Sequence, residues 1–230
     1  IGDLFDSILR QTYDRENFDV NVIVKRADDP TVEMAEKLGF SVFVVPEQTC
    51  KGAALDGFFQ SIGKEHWQDC AAYCIVDADA VLAPDYVEQL NNALDMDAHI
   101  YLSRKRIKNY LGDKKSRSIF CNCSALNYPL LDDMGNFYRM KKGVPLNMCG
   151  QGMMVRSDAI QKIGGWPYRS LTEDYEMKMD SFLQDFRSVC YPYAVIYTEE
   201  VVKHGEAWQR RLRWVIGFTQ CYHKYKKRAH

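Results

Sequence analysis

Neither charge dominates this chain, in which 30 Lys and Arg stand against 31 Asp and Glu over 230 residues. Such a balance supplies no global field to draw in nucleic acid, so nucleic acid is not an expected partner and any anion site must be local. Eight cysteines are present, yet none forms a C-x-x-C pair and no signal-peptide pattern accompanies them. Cys74 and Cys190 lie inside apolar runs as small hydrophobes, which sets the expectation of a reducing compartment rather than a disulfide framework. Cys121-Asn122-Cys123 lacks the further ligands that a zinc finger or ribbon would place at its usual spacing. No apolar run approaches the roughly 18 residues of a membrane-spanning helix. The basic stretch 222–228 reads either as a solvated end or as a segment just cytoplasmic of a membrane helix outside this sequence. Internal repeats and low-complexity segments are also absent.

What is present is a large apolar fraction, 47%, enough for one sizeable core and one expected domain over 1–230. Leu4, Phe5, Ile8 and Leu9 share a helical face. Residues 19–25 read as a strand, Asp29-Pro30 as an N-cap with a first-turn proline, and Gly39 as the end of that helix. A strand over 41–45, a helix over 51–62, a buried strand over 71–76, a helix from Pro84 to about Leu94 and a strand over 99–103 follow. This alternation predicts an α/β fold with a Rossmann-like, mostly parallel central sheet flanked by helices. Residues 1–103 are the expected nucleotide-binding half and 104–230 the expected acceptor-binding half. The stretch 104–148 has no clear period and is expected to form helices and long loops that face a substrate. Periodicity returns with a strand over 150–155 and a helix over 157–163. A helix starting at Thr172 or Glu173 follows, then short strands over 187–191 and 194–197 and a last helix from about Glu206.

Three features carry chemistry. Asp77-Ala78-Asp79 closes the buried strand, and carboxylates at a strand's carboxyl end can present oxygens to a hard cation; taken alone, the pair reads equally well as a strand end before a helix cap. Thr172-Glu173-Asp174 opens a helix, where acids also complement the helix dipole. Gln209 and Arg213 stand i, i+4 on the last helix, so an amide and a guanidinium share a face, with Trp214 beside them. That tryptophan on its own reads as core-packed or as lying at a membrane interface.

In this order, with K-G-A-A-L at 51–55, D-A-D-A at 77–80, G-Q-G-M-M at 150–154, I-G-G-W at 163–166 and L-T-E-D at 171–174, the chain resembles family two glycosyltransferases of GT-A fold. The resemblance is to the membrane-associated type with D-x-D, T-E-D and Q-x-x-R-W motifs, such as the synthases of cellulose and hyaluronan, and it runs from the first helix to Trp214. It implies an inverting, metal-dependent transfer from a nucleotide-diphosphate sugar, expected to be a UDP-sugar, to a saccharide or lipid-linked hydroxyl. Asp79 would ligate Mg²⁺ or Mn²⁺, while Asp77, Lys51, Gln209 and Arg213 would bind the donor. Asp174 would be the catalytic base; Glu173, Gln151 and Trp214 would face the acceptor. The resemblance further implies membrane association through segments missing from this chain, at the cytoplasmic face.

Two departures stand out. The family's first strand, with its nucleobase-cradling turn, is not found, so a central strand is expected to be missing from this chain. Lys25-Arg26-Ala27-Asp28-Asp29 stands where the family has a D-x-x-T-D-like turn. Two other classes therefore stay in view: a glycosyltransferase-like binding or scaffold domain with impaired catalysis, and a nucleotidyltransferase.

Overall fold

A computed structural model describes residues 1–111 and 118–228 of the chain. Positions 112–117 of the aperiodic stretch, and 229–230 of the expected domain, lie outside the described residues. The first half follows the sequence closely. α1 (Gly2–Leu9) is followed by β1 (Asn21–Val24), and the Asp29 side chain then caps α2 (Pro30–Lys37) by accepting from Thr31 N at 2.9 Å. Next come β2 (Ser41–Val44), α3 (Lys51–Ile62), β3 (Ala72–Ile75), a two-residue β4 (Val81–Leu82) and α4 (Tyr86–Ala93).

β5 (Ile100–Ile107) runs past the expected end at 103. The extra residues before Ile107 are charged, which hid them from a hydrophobic pattern. They stay in the strand because two acids receive them: Asp132 accepts from Lys105 N at 2.8 Å, and Asp133 accepts from Arg104 Nε at 2.6 Å. Both acids lie on a π-helical segment (Leu130–Asn136) between α6 (Ile119–Pro129) and α7 (Phe137–Lys141), after the short α5 (Lys108–Leu111).

β6 (Met153–Arg156), α8 (Ser157–Ile163), α9 (Glu173–Leu183), β7 (Ser188–Thr198) and α10 (His204–Tyr225) complete the chain. The two short strands expected over 187–197 are one strand. Its register against β5 jumps from Ser103↔Tyr191 to Arg104↔Val195, leaving Pro192, Tyr193 and Ala194 in a bulge, where a residue without an N–H costs no ladder bond.

The strands form a five-stranded sheet in the order β3-β6-β5-β7-β4 and a separate parallel pair, β1-β2. Helices flank the sheet as expected, but its pairing is mixed. β5 and β7 are parallel, whereas β6 runs antiparallel to both β3 and β5, and β4 antiparallel to β7. The reason is connectivity: β6 returns from the long helical excursion after β5 instead of closing a βαβ unit. Strand alternation splits the core into two layers. Ile100, Leu102, Met153 and Val155 join Phe58, Phe59 and Trp166 on one face, while Tyr101 and Met154 join Phe5, Tyr86 and Leu90 on the other. β1 and β2 feed the same layers, Ile23 and Phe43 the first, Val22 and Val42 the second. The two sheets therefore share both apolar layers with no strand pairing one to the other among the described residues.

Candidate active site

The residues around Gly150 bring three separate elements to one point. Gly152 N donates to Ile75 O at 2.9 Å, and Ser103 N donates to Gly152 O at 3.0 Å, so residues 150–152 are laid across the ends of β3 and β5. Gly152 has φ +68°, and a Cβ there would come within 3.1 Å of Ser103 Cβ and the Tyr86 hydroxyl. A glycine is required on both counts.

Lys51, in the first turn of α3, points into this corner. Its ammonium pairs with Asp77, donates to Gly150 O at 2.8 Å and stands 3.7 Å from Glu173 Oε1. Asp174 receives Gly150 N on one oxygen and Tyr175 N on the other, each at 2.7 Å. The carboxylate is thus fixed by two backbone donors, and each oxygen keeps a lone pair for a proton. Glu173 is largely buried, and burial pushes its carboxyl above the ordinary value although Lys51 pulls it back. Lys51, Asp77 and the adjacent pair Glu173-Asp174, from three distant parts of the sequence, form one cluster.

The start of α9 is held from behind by α10. Leu171 N donates to Gln220 Oε1 at 3.0 Å, and Lys224 pairs with the buried Glu176, which accepts from Ser170 N at 2.8 Å. Gly217 lies so close to Thr172 that a Cβ would meet its Oγ1 at 2.4 Å.

Asp79 sits at the rim. Partial desolvation first, and the neighbouring Asp77 carboxylate second, push its carboxyl above the ordinary value, while Arg210 pulls the other way. That arginine pairs with the buried Glu200 at 2.8 Å and places its guanidinium 5.5 Å from the Trp214 ring centre. Trp214 is half-buried, whereas Gln209 and Arg213 are exposed on α10, with no hydrogen bond or ion pair to the acids among the described residues. The sequence holds the reason. In a Q-x-x-R-W spacing counted back from Trp214, the first place falls on Arg210, not Gln209. Gln151 is buried, and its Nε2 has no hydrogen-bond partner among the described residues.

Sequence reasoning passed over Lys105, which is buried on β5. Burial pulls its ammonium down, but Cys149, Asp132 and Tyr128 outweigh that and leave it raised. A lysine flanked by two arginines gave no sign of facing inward.

Among the described residues, no group of three or more His, Cys, Asp or Glu is placed to hold a metal. Asp79 alone, with Asp77 engaged by Lys51, makes a sparse donor set. It suits an ion such as Mg²⁺, which keeps waters and takes one or two carboxylates beside substrate phosphates.

A layered α/β sheet with acids gathered at its strand ends, covered by helices on both faces, defines a GT-A domain. The chain belongs to glycosyl transferase family group 2, whose profile matches residues 74–229. It is 24% identical over 229 residues to the probable glycosyltransferase YdaM of Bacillus subtilis, covering 91% of this chain and 52% of YdaM. It is 30% identical over 76 residues to the beta-monoglucosyldiacylglycerol synthase of Trichormus variabilis, covering 33% of this chain and 16% of that protein. The chain thus spans about half the length of YdaM and a smaller part of the synthase. Among solved structures, it superposes on the mannosyltransferase PcManGT from Pyrobaculum calidifontis, in complex with GDP-Man and Mn²⁺, with a TM-score of 0.67 at 18% identity. That match covers 99% of this chain and 60% of PcManGT. S. aureus TarS 1–349 in complex with UDP-GlcNAc gives 0.59 at 15% identity, covering 90% and 56%. No helix among the described residues is long and apolar enough to cross a membrane.

Proposed function

We propose that this domain transfers a sugar, with inversion, from a nucleotide diphosphate to an acceptor hydroxyl in a single displacement. The observation that carries the reading is the meeting of Lys51, Asp77, Glu173 and Asp174 around Gly150, with Asp79 and Arg210 at the rim. In that displacement the acceptor oxygen bonds to the anomeric carbon, the bond from that carbon to the diphosphate oxygen breaks, and Asp174 takes the hydroxyl proton. A positioned carboxylate of this kind contributes about 10²–10⁴-fold. The two backbone donors on Asp174 hold it still for that transfer.

The leaving diphosphate gains negative charge. Among the described residues, Lys51 and Arg210 are cations placed on that side, and an Mg²⁺ or Mn²⁺ held by Asp79 would supply further charge neutralisation. Asp77 keeps Lys51 in place and is assigned the ribose side of the donor. Gln151 would offer its unpartnered amide to an acceptor hydroxyl, and Trp214 a flat face to a sugar ring. The donor is proposed to be a UDP-sugar; PcManGT in complex with GDP-Man and TarS in complex with UDP-GlcNAc support a nucleotide-sugar donor in general. The acceptor is proposed to be a saccharide or a lipid-linked hydroxyl, reached at the cytoplasmic face of a membrane.

UDP with Mn²⁺ should raise the melting temperature, and Asp79→Ala should abolish the rise. Asp174→Asn should keep the donor-induced shift and lose release of nucleoside diphosphate in the presence of acceptor. Turnover retained by Asp174→Asn would remove the base assignment. A folded wild-type chain that no nucleotide diphosphate stabilises would support a binding or scaffold role.

A further inference from the structure

Three cations that the transfer site does not use gather around the segment 145–151. Lys178 lies four residues after Asp174 on α9, so the two share a helix face about 6 Å apart along its axis. The segment tracks that face: Gly150 N donates to Asp174 at 2.7 Å, and the Lys178 ammonium donates to Asn147 Oδ1 at 2.8 Å. Asn147 is itself fixed, since its N–H donates to Asn136 Oδ1 at 2.8 Å and its carbonyl accepts from Asn136 Nδ2 at 3.2 Å. Arg139, on α7, reaches the same segment by donating its Nε to Pro145 O at 2.6 Å. Lys178 and Arg139 are half-buried, and neither takes part in an ion pair among the described residues. Burial first, and the Arg139 charge second, hold the Lys178 ammonium below its ordinary value. An ammonium and a guanidinium thus repel each other here, with no carboxylate paired to either.

Lys105 approaches the segment from the sheet. Ser103 donates its hydroxyl to Gly152 O at 2.6 Å, and Lys105, two residues along β5, projects from the same face of the strand. Its side chain is 2% exposed, and its ammonium makes no hydrogen bond or ion pair among the described residues. The nearby Asp132 spends one oxygen on Lys105 N and leaves the other without a partner. Cys149 lies in the fields of Lys105, Lys178 and Asp174 together, so the two lysines and the base border one small region. A buried ammonium without a hydrogen-bond acceptor is costly. Cations beside a general base also lower its affinity for the proton it must take. Both costs fall when an anion enters. Lys51 stands at the start of α9 beside Glu173, more than a turn before Lys178, so this corner is separate from the donor's diphosphate.

We propose that Lys178 and Arg139, with Lys105 behind them, form a subsite for an anionic group of the acceptor, a phosphate or a carboxylate, held one helical turn from Asp174. The inference rests on the transferase reading above and narrows its acceptor to a phosphorylated or acidic saccharide. The planar guanidinium of Arg139 can meet two oxygens of such a group, and the Lys178 ammonium a further one.

Scanning fluorimetry of the chain saturated with UDP and Mn²⁺ tests this, with glucose 6-phosphate, glucuronate and glucose titrated in turn. The expected result is a further, saturable rise in melting temperature with the phosphate or with the carboxylate, which tells the two anions apart, and none with glucose. Lys178→Gln, which can still donate to Asn147, and Arg139→Gln should each weaken the apparent Kd for that anion at least fivefold and keep the UDP–Mn²⁺ shift. Lys178→Arg should stay within threefold of wild type. A wild type that keeps its UDP–Mn²⁺ shift but responds to neither anion overturns the inference alone. So does an equal response to glucose, or an anion response unchanged in both glutamine variants. Glutamine variants that still melt cooperatively but lose the UDP–Mn²⁺ shift assign these cations to the diphosphate and overturn the acceptor subsite. A folded wild type that no nucleoside diphosphate stabilises overturns the transferase reading itself.

Discussion

Gly52→Ala should damage the fold and the donor corner together. A Cβ on Gly52 would lie 1.8 Å from the carbonyl oxygen of Tyr168, and 3.4 Å from Glu173 Cβ. The obstacle is backbone, and it is anchored: Tyr168 is buried, its hydroxyl donates to Asp180 at 3.0 Å, and the next residue, Arg169, is ion-paired with Asp56. α3 and this loop must therefore separate by about 1 Å or more before the contact becomes tolerable. Overpacking costs about 1–3 kcal/mol, and a rigid carbonyl puts this site at the upper end. Replacing glycine in a helix returns up to about 1 kcal/mol. The net loss is about 2 kcal/mol, which for a chain of this size lowers Tm by about 4–8 °C. Lys51 moves with α3, so its 2.8 Å contact with Gly150 O and its pairing with Asp77 should loosen, and the UDP–Mn²⁺ shift should shrink. Differential scanning fluorimetry with and without nucleotide reads both effects. Gly205→Ala, whose Cβ would meet nothing within 4 Å, is the matched control and should not lower Tm. A Gly52→Ala chain melting within about 1 °C of wild type with a full nucleotide shift would refute the argument.

Asp79→Asn should raise Tm at neutral pH while removing donor stabilisation. Asp79 and Glu173 are acids with raised native values, so the folded state holds their protons longer than the unfolded chain does; stability falls as pH rises from the ordinary carboxylate range, 3.8 for Asp, through the native values. The penalty is absent below 3.8, so the gain from Asp79→Asn should shrink as pH drops toward that value. A pH-independent gain, or a loss at neutral pH, would contradict it. Phe59→Ala should cost about 3–5 kcal/mol in urea unfolding. Phe59 is buried with ring centres at 4.9 Å from Tyr73, 5.2 Å from Phe58 and 6.1 Å from Trp67, and a loss below about 1 kcal/mol would mean that this layer repacks freely.

Reading the elements from sequence worked where local rules decide. Asp29-Pro30 and Gly39 bracket α2, and the runs 41–45 and 71–76 mark β2 and β3 within a residue or two, because capping and period are local properties, although β3, expected to be buried, buries only Ile75 fully. It stopped short where a distant partner decides. The polar end of β5 is a strand only because Asp132 and Asp133 come down on it, and the break at Pro192 is a bulge only because β5 continues alongside. The same division runs through the site. Asp77, Asp174 and Lys51 could be picked out by type and order, but the face that α10 turns to the acids depends on how it docks against Thr172. That docking turns Arg210 and Trp214 inward and leaves Gln209 and Arg213 exposed.

Sequence by itself therefore determined the α/β character, most element boundaries and the family resemblance, and it singled out the acids of the candidate site, all of which rest on spacing within a few residues. Only the tertiary structure decided the mixed pairing of the sheet, the Lys51–Asp77–Glu173–Asp174 cluster about Gly150, and the corner that Lys178 and Arg139 share. Each of these depends on which side of a strand or helix meets a neighbour far away in the chain. A linear pattern gives a helix its apolar face, but what lies opposite that face is fixed only when the other elements have packed.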